Sequence, residues 1–599
     1  MSEQAGNERV VRIGGASGFW GDTAMSAPQL VRGADIDYLV FDYLAEVTMS
    51  ILASQRLKDP AAGYATDFVQ ITMKALLPDL VAKKIRVVAN AGGVNPLACR
   101  DALARVAQSL GLTLRIGVVT GDEISAAVPA LRERDTREMF SGEAMPPAFV
   151  SVNAYLGAIP IARALDQGCD VVITGRCVDS AVTLGVLMHE FGWRDDEHDR
   201  LAQGTLAGHL IECGAQCTGG LFTDWDQVPD WENIGFPIVE ARADGSFTIT
   251  KPEGTGGLVT PATVSEQLVY EIGDPRAYQV PDVCCDFTQV RFEQTGEHRV
   301  RVSGARGRAP TSTYKVSATF ADGYRNMAVL VIGGQDAPAK ARRTGEAILT
   351  RTSRMLAALG LPAYSETRIE LLGAEDMFGA SARPDTREVV LKIAVRCPSK
   401  ASLDLFAREF APAGTSMAPG TTGLMGGRPS PTPVIRLFSF LVDKREVPIA
   451  LEVDGTRTLI EVPHGSAAAP TDLPPARALP TAAPAPGVAL RTVPLIRLAH
   501  GRSGDKGNKA NIGVIARRPA YVPVLSAWLT PERVAAHFAH NQPSSVERFD
   551  LPGFDAMNFL LHDVLGGGGM ASLRTDSLAK AFAQVLLTLP VDVPADLVD

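Results

Sequence analysis

Residues 9–23, RVVRIGGASGFWGDT, decide how the rest of the chain is read. A short apolar run, Val10 to Ile13, breaks into glycines at Gly14, Gly15, Gly18 and Gly21. Glycines at this density let a backbone turn sharply or lie close against something. Between them stand Ser17, Trp20 and Asp22, side chains with uses at a site, and a helix-like segment follows. Strand, tight loop and helix in that order open an α/β domain. No Gly-Lys-Ser/Thr follows, so the loop is not a P-loop. Ile13 stands where the first glycine of a dinucleotide fingerprint belongs, which removes that reading too. The choice left is between a site loop and an ordinary tight βα turn.

Four similar units follow. Residues 35–46, DIDYLVFDYLAE, end in the acids Asp42 and Glu46. Residues 84–96, KIRVVANAGGVNP, end in Asn90, Gly92, Gly93 and Asn95. Residues 114–124, LRIGVVTGDEI, end in Gly121, Asp122 and Glu123, and residues 170–180, DVVITGRCVDS, in Gly175, Arg176, Asp179 and Ser180. The apolar runs are continuous and β-branched, as expected for strands buried on both faces of a parallel sheet. Between them, 69–83, 96–110 and 154–168 carry apolar residues at helical spacing. Ligands of open parallel sheets bind beyond the carboxyl ends of the strands. Ser17, Asp22, Asp42, Glu46, Asn90, Asn95, Asp122, Arg176 and Asp179 are therefore expected to face one crevice, although Asp179 and Ser180 also read as a helix N-cap.

The chain has 599 residues, too many for one core. Apolar content is 46% and charged content 21%, as in globular proteins. A net charge of −9 is mild for this length and argues against nucleic acid as a general partner. No apolar run reaches the roughly 18 residues of a membrane span. The opening MSEQAGNERV has no apolar signal core, and eight cysteines are too few for a disulfide scaffold, so a reducing cytoplasm is expected.

Residues 204–220 hold His209, Cys213 and Cys217 at four-residue spacing. On a regular helix the outer two lie about 12 Å apart, too far for one zinc with bonds near 2 Å. A buried helix face is the preferred reading, and no metal is expected from it. Residues 251–278 bring a second glycine loop, Lys251, Thr255, Gly256 and Gly257, and a Thr260-Pro261 helix start able to receive an anion. Residues 311–463 read as an α+β region, with alternating strands, a helix over 338–359 and a strand over 388–397. Glycine-rich 420–427 is a candidate lid or a surface turn. Residues 464–487 are mostly Ala and Pro and read as an extended linker. Beyond it, 488–599 forms a compact domain whose loop over 500–511 contains His500, Arg502, Ser503, Asp505, Lys506 and Asn508. Glycine-freed amides with Arg and Lys suit a phosphate or carboxylate. A helix is expected over 572–580, after Gly566 to Gly569.

Two motifs, IGGASGFWGD at 13–22 and HGRSGDKGNKANIG at 500–513, resemble the signatures of the acyclic terpene utilisation (AtuA-type) family. ANAGGVNP, TGRCVDS and the GTGG loop extend the resemblance over the first part of the chain, a large α/β domain in that family. Residues 488–599 resemble the family's C-terminal ferredoxin-like domain. Asn508 departs from the pattern, which often has a second aspartate there. The resemblance implies catabolism of citronellol- and geraniol-type compounds, beside acyl-CoA carboxylases and dehydrogenases, and hence a branched acyl-CoA.

The fold expected is thus a parallel-sheet domain over 1–310, the α+β region continuing it, the linker, and a ferredoxin-like domain. Two functions fit. The first is a lyase-type enzyme on a coenzyme A thioester, working by hydration, dehydration or C–C cleavage. Its carboxylates Asp22, Asp42, Glu46, Asp122 and Asp179 would move protons, Asn90 and Asn95 would hold an enolate oxygen, and Arg176 a substrate carboxylate. Gly15, Ser17, Gly18, Trp20, Gly92 and Gly93, the Lys251 loop and the His500 loop would bind the ligand, the last at its anionic end. The second is a non-catalytic acyl-CoA-binding or carboxylase-assembly partner. No cofactor fingerprint is complete. A homo-oligomer is expected, with the small domain meeting the crevice of its own chain or a neighbour's.

Overall fold

A computed structural model describes residues 9–423, 427–466, 473–483 and 487–598. Its first eight strands are β1 (Val11–Gly15), β2 (Tyr38–Phe41), β3 (Arg86–Ala89), β4 (Ile116–Thr120), β5 (Ser151–Ala154), β6 (Val171–Thr174), β7 (Ile238–Ala241) and β8 (Phe247–Thr250). The five apolar runs of the sequence are the five strands β1-β2-β3-β6-β4, side by side in that order and all parallel. Their residues are almost all buried, because helices cover both faces.

The sheet does not stop there. Antiparallel β7, β8, Arg299–Ser303 and Arg291–Gly296 extend it beyond β1, and Ala450–Val453 and Thr456–Leu459 extend it beyond β4, to eleven strands. The last two belong to the α+β region in sequence. In return β5 leaves the first sheet and pairs with Thr313–Gly333, the 21-residue strand at the centre of a second, six-stranded sheet. The two segments therefore exchange strands. Drawing 151–154 into that sheet also explains why the helix expected from residue 154 begins only at Ile159.

The second sheet shows the alternation that the first lacks. Tyr314, Val316 and Ala318 face a core with Phe438 and Phe440. Lys315, Ser317 and Thr319 lie on the opposite face with their cross-strand partners Asn153 and Ser151, since successive side chains point to opposite sides. This polar face meets the carboxyl end of the parallel strands.

The C-terminal domain is an antiparallel sheet in the order Ala499–Lys506, Lys509–Ala516, Ala556–Leu561, Val546–Leu551. Its own core includes Ile512, Val514, Phe538, Phe559 and Leu586. The polar loop expected over 500–511 is instead a tight hairpin with Gly507 and Asn508 at its turn, Gly507 at φ +68° as a two-residue turn favours. No helix forms over 572–580; the helix begins at Phe582. The Ala/Pro segment also contributes to this core. Leu479 is buried in it, with its amide bonded to Asp550 Oδ2 at 2.9 Å. Of the 420–427 stretch, Thr421–Gly423 is a short strand and 424–426 lie outside the described residues.

Candidate functional site

Parallel pairing puts all five carboxyl ends on one edge of the sheet, and polar side chains tie the loops there together. Ser17 Oγ donates to the Asp42 carbonyl at 3.0 Å. Asn90 accepts the Tyr43 amide at 2.7 Å and donates its own amide to Asp42 Oδ1. Asp122 Oδ2 accepts the Arg176 backbone amide at 2.9 Å and Asn153 Nδ2 at 2.8 Å, joining the ends of β4, β5 and β6. A Cβ on Gly175 would lie 2.3 Å from Asp122 Oδ1, so only glycine permits this junction. Ser17, Asn90 and Asp122 are thus the frame of the site.

Inside the frame lies a compact group of charges. The Arg176 guanidinium, only 4% exposed, stacks 4.1 Å from the Tyr155 ring and donates to Asp179 Oδ1 at 2.8 Å. Tyr155 follows β5, and its hydroxyl donates to Glu46 Oε1 at 2.6 Å. Lys315, from the polar face of the second sheet, places Nζ 5.1 Å from the same ring. Burial alone would raise the Glu46 carboxyl, but Lys315, Arg176 and the Tyr155 hydroxyl outweigh it and hold it at about 2. Asp42, at the floor and 7% exposed, goes the other way. Burial and the nearby Asp179 push it well above the usual carboxylate range, against the pull of Arg176. Two carboxyls at one sheet edge with their pKa values pushed apart is the arrangement acid–base chemistry uses.

The wall continues into the end of helix His198–Ile211. Burial lifts Glu212 to about 7 although His209 Nδ1 bonds it at 2.9 Å; His209 Nε2 bonds the Leu268 carbonyl at 3.1 Å. His209 therefore bonds within the protein, and among the described residues no three His, Cys, Asp or Glu side chains gather around a metal position. Tyr278 closes this side. The rim comes from the C-terminal hairpin of the same chain. Lys506 Nζ donates to the Glu271 carbonyl at 2.9 Å and sits 5.7 Å from the Tyr278 ring. Asp505, raised to about 6 by burial and Glu271, stands next to Lys580, which also bonds Glu271.

The hairpin is held by polar contacts. Asn511 accepts the Glu271 amide and donates to the Val269 carbonyl, at 2.9 and 2.6 Å. Arg517 grips Asp224 with both terminal nitrogens, and His500 bonds the same carboxylate at 3.2 Å. Arg502 is 6% exposed, stacked on Tyr270 and bonded to the Leu221 carbonyl. Ser503 bonds the Ala579 carbonyl and Asn508 bonds Asp563. Of the hairpin residues expected to bind ligand, Asp505 and Lys506 reach the crevice, whereas His500, Arg502, Ser503 and Asn508 make protein contacts.

The profile of the acyclic terpene utilisation family protein AtuA matches residues 11–453, and that of the AtuA ferredoxin-like domain matches residues 493–592. The chain belongs to the acyclic terpene utilisation family. No curated protein and no solved structure matches it. Among the described residues no helix is long and apolar enough to cross a membrane.

The family motifs divide into parts that line the crevice and parts that shape it. In the opening loop, Asp22 accepts the amides of Gly18 and Thr23 at 2.9 and 2.7 Å, while Trp20 donates to Asp67 at 2.6 Å. Gly18 is there because a Cβ would meet the backbone of Cys213 at 2.7 Å, and Gly15 meets the Ile211 carbonyl in the same way. In ANAGGVNP, Gly92 donates to the Thr174 carbonyl and precedes Gly93, while Asn95 turns away to the carbonyls of Pro60 and Ala62. The GTGG loop is closed by its own lysine and by residues 229–235. Lys251 Nζ donates to the Thr255 carbonyl, and Gly256 and Gly257 bond Asn233 and Pro229. The helix after it has a capping box between Thr260 and Thr263, which occupies donors an anion would need. Tyr155, Lys315, Glu212, Glu271 and Tyr278 were not singled out in sequence. A lysine in an alternating strand, at Lys315, was the one local signal available.

Proposed function

We propose that this family member is an enzyme acting on a branched acyl-CoA, either adding or removing water beside the thioester or cleaving a C–C bond there. The observation that carries the reading is the cluster at the strand ends, where burial pushes the Asp42 carboxyl up while Arg176, Lys315 and Tyr155 gather around Glu46 and hold it down. A carboxyl of this kind gives a proton to the carbon next to a thioester in its acid form and removes one in its ionised form. Arg176 and Lys315 stabilise the enolate oxygen that the exchange creates, in a setting with little water to weaken them. Lys506 and Lys509, beside the hairpin turn, would meet the coenzyme A phosphates.

The test is mass spectrometry of the purified protein with a panel of branched and carboxylated acyl-CoA thioesters. Consumption of at least one thioester, abolished by Asp42→Asn, is expected. Ligand-dependent stabilisation with no consumption would instead identify a binding protein.

A further inference from the structure

Behind Glu46 and Arg176 the two sheets leave a cavity of about 10 Å³, lined also by Met49, Ser151, Asn153, Ser317 and Thr319. Cross-strand register sets Asn153 opposite Ser317 and Ser151 opposite Thr319. Ser151 and Thr319 satisfy each other with a hydroxyl–hydroxyl bond of 2.7 Å. The other pair does not. Asn153 Nδ2 is committed to Asp122, which fixes the amide and leaves Oδ1 without a partner; Ser317 Oγ has none either. The two residues are 1% and 7% exposed. Buried polar atoms in this condition are rare and are met by ordered water. The volume admits one water, for which a cavity of about 10–15 Å³ and two to four polar partners are needed. Arg176 in the lining opposes a cation, and anything larger than water does not fit.

We infer that this cavity binds the water that reacts, so that hydration and its reverse, not C–C cleavage, are the chemistry of the site. The inference rests on the acyl-CoA reading above. The water donates to Asn153 Oδ1 and to the Glu46 carboxylate and accepts from the Ser317 hydroxyl. In hydration, the water oxygen forms a bond to the β-carbon of an α,β-unsaturated thioester, and its proton passes to Glu46. The π pair moves to the α-carbon, which takes a proton from the Asp42 carboxyl. One water is added, and the proton gained by Glu46 balances the one lost by Asp42. Glu46 is otherwise a weak base. Charge building on the thioester oxygen draws on Arg176 and Lys315, which loosens their hold on Glu46 as the proton arrives. Dehydration runs the same steps backward and delivers the leaving water to the cavity.

The test combines a crystal structure that resolves ordered water with two rates on the full chain. Expected is a water within hydrogen-bond distance of Asn153 Oδ1 and Ser317 Oγ, lost in Ser317→Val, whose methyl groups fill the space. Ser317→Val is expected to lose hydration of an enoyl thioester by about 100-fold or more, the scale of a lost proton-transfer partner. Exchange of the α-proton of a saturated thioester into deuterated water, measured at a pH alkaline enough to ionise Asp42, should stay within about threefold, because it needs the Asp42 carboxylate as base and no reacting water. Ser317→Ala, which leaves the space open, keeps the melt and shows a smaller loss of the same kind. An empty cavity, or equal losses of hydration and exchange in a folded variant, overturns the inference. A wild-type protein that holds the water but exchanges no α-proton on any thioester overturns the acyl-CoA reading instead, and with it the reacting role of the water.

Discussion

Glu46→Gln isolates one electrostatic contribution with a definite sign. In the folded chain Lys315, Arg176 and Tyr155 overcome burial and hold Glu46 at about 2, against 4.5 for an ordinary glutamate. At roughly 1.4 kcal/mol per pH unit, that gap is worth about 3 kcal/mol to the folded state at neutral pH. The glutamine keeps the shape and still accepts the Tyr155 hydroxyl, so the change removes the charge and little else. A carboxyl depressed by folding stabilises above its unfolded pKa and loses that stabilisation as pH falls toward its folded one. The wild-type advantage is therefore full at pH 7 and shrinks to about 1–1.5 kcal/mol at pH 3. Urea unfolding of both proteins at the two pH values, followed by far-UV circular dichroism, measures it. An equal difference at pH 7 and pH 3, or less than about 0.5 kcal/mol at pH 7, the level of an ordinary surface change, would refute the electrostatic account.

Asp42→Asn should lower turnover by about 10²–10⁴ with the melt retained, since the amide keeps the shape at a position where burial already opposes a charge; mass spectrometry with the thioester panel reads this. Because folding raises the Asp42 pKa, wild type loses stability as pH rises through it, and the variant should gain on wild type at alkaline pH in thermal melts. Gly513→Ala puts a Cβ 2.2 Å from Val269 and should wedge the hairpin off the large domain, seen as faster protease cleavage in the Ala/Pro segment; unchanged cleavage would mean the contact yields. A fragment of 473–599 should melt above one of 488–599, because burying Leu479 is worth about 1.5–3 kcal/mol. Equal melting of the two fragments would place Leu479 outside the independent core.

The sequence by itself determined the parallel sheet. Five continuous β-branched runs, each ending in glycines and polar groups, became β1, β2, β3, β4 and β6, because a strand covered on both faces must be apolar throughout and that pattern is local. It also placed Asp42, Glu46, Arg176 and Asp179 at one edge, since parallel strands share an end. It was blind to which polar groups were framework. Asp122, Asn90 and Asn95 look in sequence like Asp42, and the hydrogen bonds that set them apart join segments tens of residues away. It was blind, too, to the partners that make Arg176 and Glu46 chemically unusual. Tyr155 arrives because β5 crosses to the second sheet, and Lys315 because the face it shares with Ser317 and Thr319 lies against the strand ends. The loop over 500–511, whose Arg and Lys suit an anion in sequence, is a hairpin docked on residues 269–273, which buries Arg502 and leaves Asp505 and Lys506 at the crevice. Secondary structure follows from the spacing of neighbours along the chain. Whether a carboxyl is protonated depends on burial and on charges brought from other elements, and only the tertiary structure decides those.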